Sequence, residues 1–338
     1  MEARYDLLET LISKFTRTLP PHPQYKQRLL EELKIIGELN FAKHFLRVVE
    51  ILNLTSDIPH ITRGSAGCSL VCWLLGISDV DPIAERIPLA RFMNPRREDL
   101  PDIDLDFPHH QQGVVMQRIF NRWHQESARV RKYFTFKEKS AKREAAKRYG
   151  AQGKLKRNFK LEDVVPEYVA DAERLKNKLL GKKRCISKHC GGILIFDTKV
   201  PKSLINGDNQ ILLDKYECED LEHFKIDVLA NRGLSQLWEI SDKHLLDYPE
   251  TDEKTVELLQ SGNVLGVTQA ESPAMRRLFR AIKPTSRSDC VLGTALIRPV
   301  ATQGRRKGSF FQDWSKDTLS DTIVFEDDAI ELISEILG

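Results

Sequence analysis

The stretch Pro101-Asp102-Ile103-Asp104-Leu105-Asp106-Phe107 decides the fold class. Charged and apolar residues alternate in it, the period-2 pattern of a strand with one face in a core. Asp102, Asp104 and Asp106 then share one face, and Ile103, Leu105 and Phe107 share the other. Three adjacent carboxylates repel one another, and folding alone does not reward that. A hard divalent cation does, because Mg²⁺ takes oxygen ligands, usually one or two carboxylates plus substrate phosphates. The alternative is an exposed edge strand kept soluble by its charge.

A second segment, Phe224-Lys-Ile-Asp-Val-Leu229, alternates in the same way. Phe224, Ile226 and Val228 point one way, and Lys225 and Asp227 the other. If the two strands are neighbours, Asp227 completes a three-carboxylate cluster, the requirement for two-metal phosphoryl transfer. Upstream, Arg63-Gly64-Ser65-Ala66-Gly67 precedes the apolar run Leu70 to Ile77. Gly64 would let the backbone approach a ligand closely. Helix-terminal amides, the Ser65 hydroxyl and the Arg63 charge would then face an anion. The same residues also fit a Ser-capped helix after a turn.

The chain has 338 residues, enough for one large domain or two to three smaller ones. With 41% apolar and 30% charged residues it has the composition of a soluble protein. No window approaches the roughly 18 to 20 uninterrupted apolar residues of a membrane span. The N-terminus lacks the basic-then-apolar order of a signal peptide, so a cytoplasmic location is expected. The six cysteines form no C-x-x-C pair, and reduced, mostly buried thiols are expected. Residues 125–185 carry 19 Lys and Arg against 8 Asp and Glu, a net of +11. The whole chain carries +3, so the remainder carries −8. Such an excess points to a polyanion partner or to a solvated helical face.

Residues 1–19 read as a short helical lead-in closed by Pro20, Pro21 and Pro23. Helical spacing of apolar residues runs from Tyr25 to Leu52, and a buried helix is expected over Leu70 to Ile77. A further helix is predicted over 112–125, and a mostly helical stretch over 127–183. Strands are predicted over 191–196, 210–213 and 223–229, and helices over 233–246, 251–260, 272–282 and 323–337.

Several of these segments, in order, resemble the bacterial C-family replicative DNA polymerases, the alpha subunit of DNA polymerase III. Arg63-Gly-Ser-Ala-Gly-Cys-Ser-Leu-Val71 resembles the family's R-G-S-A-A-G-S-L-V, and Leu75-Gly-Ile-Ser-Asp-Val-Asp-Pro82 resembles L-G-I-T-D-V-D-P. Arg91 to Arg97 and Pro101 to Phe107 resemble E-R-F-L-N-P-E-R and P-D-x-D-x-D-F. His189-Cys-Gly-Gly-Ile193, Lys225-Ile-Asp-Val-Leu229, Gly266 to Ser272 and Ala295-Leu-Ile-Arg-Pro299 match later family motifs in the same order.

The resemblance implies an α+β fold: a polymerase-beta-like nucleotidyltransferase palm, a helical basic thumb and the start of a helical fingers domain. It divides the chain into a lead-in (1–24), palm (25–125), thumb (126–184), second palm segment (185–246) and truncated fingers (247–338). It implies template-directed DNA synthesis with two Mg²⁺ ions held by Asp104, Asp106 and Asp227, while Asp102 is not expected as a ligand. Arg63, Gly64, Ser65, Arg97, Lys225 and Arg298 become nucleotide contacts. Arg276, Arg277 and Arg280 become candidates to face nucleotide or template. Lys137, Lys139, Lys142, Arg143, Lys147 and Arg148 become contacts to primer–template DNA, whose phosphates bind without regard to sequence.

The chain also departs from the family. It shows no His-rich N-terminal phosphoesterase domain, its R-P-G-P turn reads Arg298-Pro-Val-Ala301, and it stops at Gly338, early in the fingers. The expectation is one half of a split or reduced polymerase, with a second polypeptide supplying the remaining fingers and clamp contacts. The other readings are a catalytically inactive relative that binds DNA or a replisome protein, and a metal-dependent nuclease.

Overall fold

Two units make up this mixed α/β chain, Met1–Ile119 with Asp227–Gly338, and Phe120–Ile226. The structure is a computed structural model and describes residues 2–93, 102–214, 217–218, 224–241, 243–249 and 251–298. The expected helix over 323–337 and Arg97 lie outside the described residues.

The first unit opens with α1 (Glu2–Ile12), α2 (Pro23–Glu38) and α3 (Ala42–Leu54). The helical spacing between Tyr25 and Leu52 is thus shared by two helices. They part at Asn40, whose φ of 57° takes the chain through the left-handed region and out of α2. Pro23 sits in the first turn of α2, where its missing N–H costs nothing, and His22 caps the helix through the Gln24 amide at 3.3 Å. Strand β1 (Ile61–Arg63) follows, then a 3-10 turn over Gly64–Cys68 and the five-residue α4 (Leu70–Leu74). Leu70, Val71, Cys72 and Leu74 are all buried, so α4 is apolar on every side because it lies inside the unit. The strand predicted from the alternating carboxylates is β2 (Asp104–Pro108), with Ile103, Leu105 and Phe107 essentially without exposure. Helix α5 (Gln112–Arg122) comes next.

The second unit contains β3 (Ser127–Thr135), α6 (Glu138–Arg148), α7 (Leu161–Val164), α8 (Val169–Leu179), β4 (Lys183–Ile195) and β5 (Gln210–Asp214). Here the structure departs from the helical expectation for 127–183. The first nine residues are a strand, antiparallel to β4 and parallel to β5. Ala128 and Val130 enter a core with Leu194, Val200 and Ile211, so period-2 burial outweighs the helix-favouring run of basic residues. The helical part has a separate small core of Ala145, Ala146, Leu161, Val165 and Ala172.

Strand β6 (Lys225–Asn231) returns the chain to the first unit, followed by α9 (Arg232–Ile240), α10 (Glu253–Ser261), α11 (Pro273–Ile282) and α12 (Arg287–Leu296). Each of these helices has a side-chain cap at its start, from Asn231, Asp252, Ser272 and Ser286. Met275, Leu278, Phe279 and Ile282 recur at three- and four-residue intervals on α11 and pack with Val264 and Leu296. Gly262 closes α10 with φ of 67°, and a Cβ there would lie 2.5 Å from Arg280 Nε. Only glycine fits that turn without displacing the arginine.

Of the six cysteines, Cys68, Cys72 and Cys218 are buried and Cys290 is half-buried, while Cys185 and Cys190 are exposed on β4. None of the six is in a disulfide. Among the described residues no helix is long and apolar enough to cross a membrane.

Candidate active site

Three strands of the first unit position the carboxylates. In the antiparallel pair β1–β2, Arg63 stands opposite Asp104. In the parallel pair β2–β6, Asp104 stands opposite Asp227. Asp104 is therefore flanked by a guanidinium-bearing residue on one strand and a carboxylate on the other. Neighbouring strands lie about 4.8 Å apart, which places directly opposed side chains within reach of a shared ligand.

One oxygen each from Asp102, Asp104 and Asp227 falls within 4.8 Å of the other two. Exposure is graded across the group: Asp102 is exposed, Asp104 half-buried, and Asp227 buried at 9%. Three hard oxygen donors at one point, open on one side, fit a Mg²⁺ ion that keeps positions for water or phosphate. Asp102, Asp104 and Asp227 would hold such an ion. Asp102 was not expected among the ligands, although period 2 already set it on the same face.

Asp106 is placed differently. It is 2% exposed, with Oδ1 2.9 Å from Arg63 Nε and Oδ2 accepting a hydrogen bond from Asn231 Nδ2 at 2.9 Å. The Arg63 contact is an ion pair whose angles fall short of a hydrogen bond. Asn231 Oδ1 accepts from the Leu234 amide at 3.0 Å, so the residue that caps α9 also orients Asp106. Nothing in the local alternation of either strand marks Asn231; its role depends on the β2–β6 register, which sets Pro108 opposite Asn231.

The Gly64 loop lies over the same strand edge. Gly64 has φ of 77°, and a Cβ there would stand 3.8 Å from Asp104 Oδ2. Arg63 and Gly64 are exposed and Ser65 is half-buried, whereas Ala66 and Cys68 to Val71 are buried. The expectation that free amides of the following helix face an anion is not met at α4. The Leu70 and Val71 amides donate to the buried carboxylate of Glu32 at 2.8 and 3.0 Å. Those two amides are therefore not available to a ligand.

The other expected nucleotide contacts are spread more widely. Lys225 opens β6 and is half-buried. Arg298 is exposed just beyond α12. Two of the α11 arginines bind the C-terminal end of α10: Arg276 Nε donates to the Gly262 carbonyl at 2.7 Å and Arg280 Nε to the Ser261 carbonyl at 3.0 Å. Arg277 Nε donates to the Pro273 carbonyl at 3.3 Å.

In the second unit, α6 buries Ala141, Ala145 and Ala146 and turns its cations outward. Lys137, Lys139, Arg143, Lys147 and Arg148 are exposed, and half-buried Lys142 lies 5.1 Å from the Phe159 ring centre. Part of the basic stretch is a strand ribbon rather than a helix: β3 and β4 carry Arg129, Arg131, Lys132, Lys183, Arg184 and Lys188 and no acidic residue. Phe134 and Ile186 are exposed on this ribbon, and Lys183 Nζ sits 3.7 Å from the Tyr133 ring centre. Its composition, aromatic residues between cations with no acid, was the available signal.

The chain belongs to the bacterial DNA polymerase III alpha family: the model of that family's NTPase domain matches residues 5–230, and the model of the alpha subunit finger domain matches residues 233–327. Among curated relatives, DNA polymerase III subunit alpha of Ureaplasma parvum serovar 3 is 28% identical over 363 residues, covering 92% of this chain and 37% of the relative. An error-prone DNA polymerase of Bradyrhizobium diazoefficiens is 30% identical over 313 residues, covering 82% and 27%. DNA polymerase III subunit alpha of Bacillus subtilis is 29% identical over 332 residues, covering 86% and 30%. The chain thus spans between a quarter and two-fifths of the length of these relatives.

Proposed function

We propose that the chain carries the nucleotidyl-transfer site of a template-directed DNA polymerase, which adds a dNMP from a dNTP to a primer 3′-hydroxyl. The observation that carries this reading is the register of Asp104 against Asp227 on parallel β2 and β6, with Asp102 in the same cluster and Arg63 opposite Asp104 on β1. In the reaction the primer O3′ forms a bond to the α-phosphorus, the bond to the β-phosphate oxygen breaks, and pyrophosphate leaves with the proton passing to solvent. Two Mg²⁺ ions would acidify the primer hydroxyl and neutralise the leaving pyrophosphate.

The chain's own residues supply position and charge. Asp104 and Asp227 hold acceptor oxygens fixed by two strands of one sheet, so no reorganisation is needed as charge develops. Asp106 is kept in place by Asn231 and Arg63 and is assigned as the third catalytic carboxylate. Its entry follows when Arg63 turns to a triphosphate, a stronger anion than a single carboxylate. Gly64 lets the backbone approach the phosphates, and Ser65 donates its hydroxyl. Lys225, Arg97 and Arg298 are assigned to the nucleotide's negative charge. The outward face of α6 and the β3–β4 ribbon are assigned to DNA phosphates, and the exposed Phe134 and Ile186 fit apolar contact with sugars or bases. The remaining fingers and clamp contacts come from further segments, on this polypeptide or on a second one.

The clustering of Asp102, Asp104 and Asp227 supports catalysis over a purely binding role, because folding alone does not reward adjacent carboxylates. The test is single-nucleotide extension of a labelled primer–template with Mg²⁺ and one complementary dNTP, with and without candidate partner polypeptides. Incorporation of the complementary dNMP supports the reading. Primer shortening without incorporation would instead identify a nuclease, and DNA binding with neither product an inactive relative.

A further inference from the structure

Glu32, on α2, has no solvent exposure, yet it carries a carboxylate. Its Oε1 accepts from Arg28 Nε and from the Leu70 amide, both at 2.8 Å. Its Oε2 accepts from Ser69 Oγ at 2.7 Å and from the Val71 amide at 3.0 Å. Arg28 uses its other end on the same segment and on a later one: Nη2 donates to the Cys68 carbonyl at 2.5 Å and to the Ile87 carbonyl at 3.3 Å. Burial pushes the Glu32 carboxyl up from its usual range, while the Ser69, Val71 and Leu70 hydrogen bonds and the Arg28 charge pull it back.

Capping α4 accounts for only part of this arrangement. Ser69 Oγ already accepts from the Cys72 amide at 3.1 Å, which is an ordinary N-cap. A buried ion pair is also a poor source of stability, since apolar residues of like volume often do as well. What the pair does supply is geometric definition. It binds one carbonyl and two amides in the four residues Cys68 to Val71, at the exit of the Gly64–Cys68 turn. The entry of that turn is fixed separately by the pairing of Arg63 with Asp104. A five-residue turn held at both ends leaves Arg63, Gly64 and Ser65 little freedom relative to the carboxylates.

We propose that Arg28 and Glu32 are a positioning pair that fixes the Arg63–Gly64–Ser65 loop over Asp104 and so sets the affinity for the incoming nucleoside triphosphate. The inference rests on the polymerase reading above, and its test separates the two. The variants are Glu32→Gln, which turns one acceptor oxygen into a donor facing amide and hydroxyl donors; Arg28→Lys, which keeps the charge beside Glu32 but loses the fork to two carbonyls; and Arg28→Met with Glu32→Met, which removes both charges and keeps the volume. Hydrogen exchange of the amides of residues 64–71 in the full chain needs no catalysis. Exchange there is expected to speed up about tenfold or more in each folded variant, the effect of losing one charge-assisted hydrogen bond, while β2 and β6 keep their protection.

Under primer extension with saturating primer–template, the KM for dNTP is expected to rise about tenfold with kcat changed less, and primer–template affinity unchanged. Unchanged exchange at residues 64–71 in Arg28→Lys, the mildest variant, overturns the positioning role whatever the activity. Faster exchange with an unchanged dNTP KM overturns the link to the nucleotide. A parent chain that loosens as expected on substitution but incorporates nothing with any partner overturns the polymerase reading instead.

Discussion

Asp227→Asn keeps the shape of the side chain and removes one of three like charges. Two unit charges 4.8 Å apart repel by roughly 3 kcal/mol at an effective dielectric of about 20. Solvent and the further polar contacts of Asp102, Asp104 and Asp227 offset much of that repulsion in the absence of a cation. In a unit of this size each 1 kcal/mol moves the melting temperature by about 2–4 °C. Mg²⁺ should separate the parent from the variant. A ligand at a hundred times its Kd stabilises the native state by about 2.7 kcal/mol, and the parent gains this while the variant, lacking one of three donors, gains little. The assay is thermal melting followed by circular dichroism, first in chelator and then across a Mg²⁺ titration, with Ca²⁺ as a second hard cation. Equal rises in the two melting temperatures with Mg²⁺ would refute a cation site built on Asp227.

Three further outcomes are expected. Burial holds the His60 imidazole, which packs 6.2 Å from the Phe107 ring, below its usual value; a depressed pKa means that stability is fully present above about pH 6.5 and is lost as pH falls toward the folded-state value. Urea midpoints between pH 8 and pH 5 should show this loss, and His60→Leu should flatten it; an unchanged slope in His60→Leu would assign the acid sensitivity elsewhere. Arg63→Met leaves the buried Asp106 carboxylate with Asn231, at a cost of about 1–2 kcal/mol once the half-exposed position of Arg63 is allowed for; a urea midpoint equal to the parent's would remove the ion pair from the account. Lys139, Arg143 and Lys147 lie at four-residue intervals on α6, and changing all three to Gln should reduce the slope of log affinity against log salt by roughly 0.9 for each DNA phosphate that is no longer neutralised. Fluorescence anisotropy with a labelled duplex at several salt concentrations reads this directly, and an unaltered slope would take α6 off the DNA.

How much of this was legible in the sequence differs by feature. The carboxylate strand was, because alternation in Asp102 to Phe107 fixes which side chains share a face whatever the neighbours are. The same holds for Asp227 on β6. Which carboxylates meet was not, because that depends on inter-strand register. Register sets Asp104 against Asp227 and leaves Asp106 to Arg63 and Asn231. Strand β3 was read as helix because Arg129, Arg131 and Lys132 continue a basic run into α6, and the burial of Ala128 and Val130 is visible only with β4 and β5 in place. Glu32 was hidden for a similar reason. An Arg–Glu pair four residues apart on an amphipathic helix looks like a surface ion pair, and nothing local reveals that α4 covers it. The Gly64 turn was legible from its glycine, but not the capture of the α4 amides by Glu32.

The central claim is that Asp104 and Asp227, brought opposite each other by β2 and β6, carry nucleotidyl transfer. Its most direct test is Mg²⁺-dependent extension of a primer by one dNMP, comparing the parent chain with Asp104→Asn and Asp227→Asn in the presence of whatever partner segments the parent needs. Incorporation should fall to background in both variants while their affinity for primer–template stays at the parental value. Extension at parental rates in either variant would contradict the account, since a site that works without one of these two carboxylates is not the site described.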